Sequence, residues 1–556
     1  MRCAISGSEF SLTPLAQEVI NEIGCPLPRL SFAESTRIKI AHRNHLHLYK
    51  RNCDYSGKSI LSNIPPSSGF RVYDKEVWFS DAWSALEYHR PYISDESFFE
   101  QLHRLQKEVP MFNLQNMESE NCDYCNSIKH AKDCYLAFSA YYNCRDVYYS
   151  FSVLGGKDIY FCAYIRDSEN CYFSNNLKNC HSCIGCETCF NSSNCLYSAC
   201  LDNCQDCLFC HNLQHKQHYI YNRQVTKDEF NAFKRGLHLT SLKAFKSCIG
   251  KLDEIKRATT WKANQIINCE DCSGDDLIRC KLCENVYASL DTEKAVDAIY
   301  SSGGGYCIYR CYGGGDHGRF NYETSATTNA SNCSFGMYVY NSSRCEYCIN
   351  VHNCQNCFGC VGLRNAQYCI LNTPYPKEEY EKLRQSIIGN MQRRLIADAS
   401  YKEAVPEWGQ YLPVKYSPFP YNHSLAQMFY PLTRDAAIRR GYIWQDEEIP
   451  QLSEHEVYRY PDEIGEWDDR LEGKTLRCEK SGKTFNLNPK VIKRLKSEGL
   501  GLSIEHPIDF LMRVAGAKRY TLTRRISCVS NKEVFSPLRE DEAPRVCSLE
   551  EYEAER

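Results

Sequence analysis

Between Asn121 and Cys369, short runs of Tyr, Phe, Ile, Val and Ser separate single cysteines. Runs of this kind suit short strands. In the first half of the stretch, cysteines fall at 162, 171, 180 and 189, nine apart. Nine residues is too short for a helical hairpin or a propeller blade. Two such stations per turn give a coil of about eighteen residues, the size of a three-sided β-solenoid. Asn-Cys recurs at Cys122, Cys144, Cys171, Cys180, Cys195, Cys204, Cys269, Cys333 and Cys354. Asn tolerates left-handed backbone, so each dipeptide is expected to mark a corner. Cysteine is small and apolar enough to stack inside a narrow coil.

The stretch is duplicated. Cys204-Gln-Asp-Cys207-Leu-Phe-Cys210 matches Cys354-Gln-Asn-Cys357-Phe-Gly-Cys360 at an offset of 150. Its two starts match as Asn121-Cys-Asp-Tyr-Cys125 and Asn268-Cys-Glu-Asp-Cys272 at an offset of 147. Helix signals close each copy. Thr226-Lys-Asp-Glu229 is a capping box that opens a helix running to about Lys262. Pro376-Lys-Glu-Glu-Tyr380 opens a second, to about Ala397.

The flanks carry other patterns. Residues 1–62 predict an amphipathic helix around Pro14–Ile23, then a basic stretch through Arg43, Lys50 and Arg51 that ends at Cys53. The carboxyl-terminal end repeats this plan at an offset of 475. Cys478 answers Cys3, Cys528 answers Cys53, and Arg513, Lys518, Arg519, Arg524 and Arg525 precede the second cysteine. Residues 63–120 supply Tyr73, Trp78, Phe79, Trp83, Phe98 and Phe99 for a small packed segment. Prolines, absent between Pro110 and Pro374, return in 401–475. That region reads as an irregular strap with a short helix between Thr433 and Gly441, followed by an acidic linker from Asp446 to Glu472.

Composition sets limits. The 556 residues include 35 cysteines and carry a net charge of −3. No global field points to nucleic acid or membrane. The amino terminus lacks an apolar core like that of a signal peptide, and no apolar run is long enough to span a bilayer. The expected compartment is the cytoplasm, with thiols reduced; an odd cysteine count cannot pair completely.

Arg43-Asn44, Leu48-Tyr49-Lys-Arg51-Asn-Cys53-Asp54, Gly57-Lys58, Trp78, Asp81 and Trp83 carry a resemblance. So do Ser417-Pro418-Phe419, Tyr421-Asn422, Pro431-Leu432-Thr433 and Gly441-Tyr442-Ile-Trp444. On these motifs the chain resembles an uncharacterised bacterial family of cysteine-repeat proteins, over nearly its whole length. The resemblance implies zinc-ribbon-like modules at the ends. The first module departs from that pattern, with Ser6 at a ligand position and Ser31-Phe-Ala-Glu34 where a cysteine pair would fall.

The expected fold is therefore mainly β: a duplicated cysteine-rich β-solenoid with capping helices and small α+β zinc-ribbon-like modules at both ends. The expected segments are a basic module (1–62), an aromatic connecting segment (63–120), array copy one (121–222) and a helical insert (223–265). Copy two (266–372), a capping helix (373–400), the strap and acidic linker (401–475) and the second module (476–556) follow.

Several clusters are candidates for chemistry. Cys269-x-x-Cys272 and Cys280-x-x-Cys283 form two knuckles that could supply four thiolates to zinc; copy one has Ala137 in the fourth place. Cys180, Cys183, Cys186 and Cys189 have the triplet spacing of an iron–sulfur motif but lack its wider last gap and proline. Cys478 and Cys528, completed by His506 and Cys547, are a third set, and His211, His215 and His218 beside Cys204, Cys207 and Cys210 a fourth. For each, packing or a solvated surface is the competing explanation. Gly303–Gly305 and Gly313–Gly315 read as tight corners rather than an anion cradle. No Gly-x-Ser-x-Gly or His-Glu-x-x-His occurs, so no motif argues for an enzyme.

Two functions compete. One is a non-enzymatic cytosolic scaffold with a protein partner on the solenoid face and RNA or a ribonucleoprotein docked on Arg43, Lys50, Arg51, Lys518, Arg519, Arg524 and Arg525. The alternative is a thiolate-rich metal protein holding zinc or, less favoured, an iron–sulfur cluster.

Overall fold

The computed structural model describes residues 1–299, 304–314, 317–396, 398, 400–447, 457–468 and 475–554, without the side chains of 314, 518 and 519. The expected mainly-β duplicated solenoid does not describe it. The chain is 25% helical and 33% strand, with parallel and antiparallel strands divided among separate sheets. The expected eighteen-residue turn is also wrong. Parallel strands pair twelve residues apart, as in Ala163↔Asn175, Asn175↔Glu187, Glu187↔Ala199 and Ala199↔His211. The nine-residue cysteine spacing is three steps of three residues, not half a turn.

Two compact units divide the chain. One contains 115–263, 446–519 and 524–556. Its ladder begins at Asn116–Met117 and ends where Gln217–Ile220 pairs antiparallel with Arg223–Gln224. The capping box then forms as expected: Thr226 accepts from the Glu229 backbone, and Glu229 accepts from Thr226. The helix stops at Gly236, however. A separate helix, Leu242–Ala258, starts with Ser241 as its cap, so the single long helix expected here is two. Phe245 on the second helix packs against Tyr172, Phe173 and Tyr197 of the ladder. The carboxyl-terminal module packs on the same array. Tyr149 accepts from the Asn488 backbone at 2.7 Å, and Phe510 meets Phe161 and Phe173.

The other unit contains 1–114, 264–445 and 520–523. Its ladder runs from Ile266–Ile267 to Gln367–Ile370, and the helix Lys377–Arg393 follows. The amino-terminal module packs here. The helix Pro14–Ile23 has the expected bounds and sets Glu18 and Glu22 on Lys294, at 3.0 and 2.7 Å. Lys39, fully buried, pairs with Glu323 and donates to the Arg310 carbonyl. The aromatic segment closes around Trp78, which meets Phe79, Trp83 and Phe112, while Phe98 packs on Tyr347 and Phe358. Each unit thus joins one array to the terminal module that lies farther from it in sequence.

Candidate functional site

Along most of the described residues of the arrays, every third residue is left-handed. In the first array φ is positive at 170, 173, 176, 179, 182 and onward to 221. All ten Asn-Cys dipeptides of the arrays, Asn356-Cys357 included, place the asparagine in this conformation, from Asn121 to Asn356, both at φ 52°. Asn reaches that region more cheaply than other side chains. The residue after it turns inward. Stepping by three around a twelve-residue repeat gives four inward columns. One carries four consecutive cysteines, Cys171, Cys183, Cys195 and Cys207, all fully buried, between Ile159 and Tyr219. The columns on either side alternate serine with cysteine, as in Ser168, Cys180, Ser192 and Cys204.

This alternation has a hydrogen-bonding logic. Ser192 Oγ donates to the Phe190 carbonyl at 2.8 Å and accepts from the Cys204 backbone at 3.1 Å. The neighbouring thiols donate to carbonyls of their own turn and the next, as Cys180 does to Lys178 and Cys189 at 3.4 and 3.1 Å.

The four thiols of Cys180, Cys183, Cys186 and Cys189 sit around one repeat and are at most 2% exposed. Cys183 hydrogen-bonds Cys180, Cys186 and Cys195, which lowers its pKa and raises that of Cys180. Cys357 in the second array touches Cys345, Cys354, Cys360 and Cys369 in the same way. These thiols are enclosed by the ladder on all sides. Among the described residues no three cysteine sulfurs lie within 4.8 Å of one another. The histidines beside the first array lie apart from the thiols: Cys204, Cys207 and Cys210 are buried inward, while His215 is exposed and His218 faces Asp206 at 3.2 Å.

Cys269, Cys272, Cys280 and Cys283 differ in position. They occupy the first two rungs of the second ladder, with Cys272 directly paired to Cys283. Cys269 neighbours Cys280, Cys280 neighbours Cys283, and Cys283 neighbours Cys272, so the four thiols form an open chain across two rungs, with no three sulfurs within 4.8 Å of one another. Cys269 and Cys272 are half-buried; Cys280 and Cys283 are buried. The Cys283 thiol brings the Cys280 pKa down to about 6, whereas burial pushes Cys272 up to about 11. The first ladder has three of these positions, where Cys122 bonds both Cys125 and Cys134. Ala137 closes the fourth corner and donates its N–H to Cys125 Sγ at 3.5 Å.

The terminal modules hold four copies of one turn. In each, the first residue donates its N–H to the carbonyl five residues on and accepts from the N–H four residues on. The pattern runs from Cys3 to Ser8, Cys53 to Lys58, Cys478 to Lys483 and Ser527 to Lys532. The fourth turn begins at Ser527, so Cys528 is not the counterpart of Cys53, and the offset of 475 is out by one there. Each turn has serine three residues on. Cys3 is held by Ser6 and the Ser31 backbone, Cys53 by Ser56 and the Asp74 backbone, and Cys478 by Ser481 and the His506 backbone. In the last turn the Glu551 carboxylate accepts from Ser527, Ser530 and Ser548, which holds its pKa at about 2. One thiol or none per turn is a poor donor set for zinc, and hydrogen bonds close the turns instead. Cys528 is half-buried, with its sulfur 4.0 Å from Thr260 Oγ1.

Most of the basic candidates are used inside the fold. Arg43 is 5% exposed, lies over the rings of Tyr312 and Tyr338, and bonds His45 at 3.0 Å. Arg51 bonds Asp54 and the Phe70 carbonyl, both at 3.0 Å. Arg524 pairs with Glu533 at 2.6 Å, and Arg525 donates to the Ala543 and Pro544 carbonyls at 2.9 and 3.1 Å. Lys50 is exposed and makes no ion pair among the described residues. The Lys518 and Arg519 side chains, Gly303, Gly315 and much of the acidic linker lie outside the described residues.

Local reading missed a buried charge cluster. Arg310 lies 3.4 Å from Asp297 and 4.0 Å from Glu323, which also binds Lys39. These partners are far apart in sequence, and no motif announces them. No protein-family model, curated protein or solved structure matches this chain.

Proposed function

We propose that this protein is a non-enzymatic binding scaffold that holds one thiophilic divalent cation, zinc, between Cys269, Cys272, Cys280 and Cys283. The observation behind this reading is the placement of four neighbouring thiols on the first two rungs of the second ladder, two of them half-buried and so open to an ion from solvent. Zinc takes four thiolates in a tetrahedron with bonds of about 2.3 Å, so the four sulfurs must draw together around the ion. The other inward cysteines are packing elements, buried and hydrogen-bonded in lines. The low pKa of Cys280 favours the thiolate that a metal requires.

The unpaired state of every cysteine supports a reducing compartment, the cytoplasm. Among the described residues no helix is long and apolar enough to cross a membrane. The test is elemental analysis of the intact chain purified under reducing conditions. One equivalent of zinc that disappears in Cys272→Ser but persists in Cys183→Ser supports the reading. Metal equally lost from both variants would place it elsewhere.

A further inference from the structure

A second feature lies in the unit built on the first array. Its helices Lys227–Gly236 and Pro489–Glu498 border a cleft of ≈ 150 Å³. Three left-handed residues, Asn170, Ser182 and Asn194, contribute from three successive rungs. Rungs of a ladder stand about 4.8 Å apart, so these side chains form a comb of polar atoms. Asn170 Nδ2 donates to Ser182 Oγ at 3.0 Å, and the serine proton has no acceptor among the described residues.

Two cations reach the comb. Arg494 donates to Asn170 Oδ1 at 2.6 Å and lies 3.3 Å from Glu498. Lys234 donates to Asn194 Oδ1 at 3.0 Å and has no carboxylate at ion-pair distance among the described residues. Burial lowers the Lys234 pKa, and the more distant fields of Asp206 and Glu498 only partly oppose this. Asp206 is already engaged by the Asn194 amide and faces His218. A partly desolvated ammonium satisfied only by an amide oxygen is under-compensated. Tyr160, Leu495 and Leu500 give the cleft apolar walls beside these polar groups.

We propose that this cleft binds the oxyanion end of a small molecule, a phosphate ester or a carboxylate. Lys234 and Arg494 supply the counter-charge, Ser182 donates its free proton, and the apolar walls receive the body of the ligand. The proposal is independent of the four zinc-binding candidates, which belong to the other array.

Calorimetric titration of the full chain with phenyl phosphate, benzoate and inorganic phosphate tests it. Saturable binding of one organic probe is expected, and the phosphate and carboxylate arms identify the head group. Lys234→Met and Arg494→Met should each weaken binding by about tenfold or more, the loss of one charge-assisted hydrogen bond. Glu498→Gln should strengthen it, and that exposed substitution carries the test if Lys234→Met does not fold. No binding of any probe at millimolar concentration, or binding that these three substitutions leave unchanged, overturns the proposal.

Discussion

A Cβ atom on Gly274 would fall 1.9 Å from the carbonyl oxygen of Val286 and 2.8 Å from its nitrogen. Gly274 has φ 141° and sits at the register shift just after the Cys272–Cys283 pair. The clashing atoms are all backbone atoms of Val286, so no side-chain rotation relieves the contact. Gly274→Ala should therefore destabilise its unit by about 3 kcal/mol or more, through strain and forced separation of two rungs. Thermal unfolding monitored by circular dichroism measures this. An unchanged midpoint would show that the shift is not needed.

Asp297 gives a pH prediction. It is buried beside Arg310, with Glu284 and Glu323 as like charges, and burial raises its pKa from 3.8 to about 6. A raised carboxyl pKa favours the folded state while the group is protonated. That contribution is complete below about pH 4 and is lost as pH rises through about 6. It amounts to about 3 kcal/mol at most. Asp297→Asn should gain stability relative to the parent between pH 4 and pH 7. Urea unfolding of both proteins at the two pH values checks this, and a pH-independent difference would contradict it.

The alternating columns predict which cysteines tolerate serine. Cys180 stands between Ser168 and Ser192, and its N–H bonds Ser168 Oγ at 3.0 Å. Cys180→Ser keeps a donor of similar size and should cost about 1 kcal/mol or less. Cys180→Leu should cost about 1–3 kcal/mol by overpacking. Unfolding midpoints of the two variants order them. Equal losses would mean that the column does not discriminate size.

Local chemistry was the most legible part of the chain. The preference of Asn for positive φ marked the thiols that follow it before any coordinates, and the Thr226–Glu229 capping box marked a helix start. Periodicity was harder. Multiples of three fit a nine-residue spacing as well as the true twelve-residue pairing, so the turn length and the architecture built on it were misjudged. The adjacent pair Ser527-Cys528 drew the alignment one residue off, because a thiol outweighed the turn that begins at the hydroxyl. Arg43 and Arg51 looked like a binding surface because charge in a sequence does not reveal its partners; ring faces and carbonyls consume them. The Lys39–Glu323 pair and the cleft beside Lys234 depend on long-range packing and left no local signal.

The most direct measurement of the central reading is zinc stoichiometry in the parent chain, Cys272→Ser, Cys283→Ser and Cys183→Ser, each shown to be folded. One tightly held equivalent is predicted in the parent and in Cys183→Ser, with less than half an equivalent in the other two. A folded parent that binds no zinc from a saturating, then dialysed, solution would contradict it.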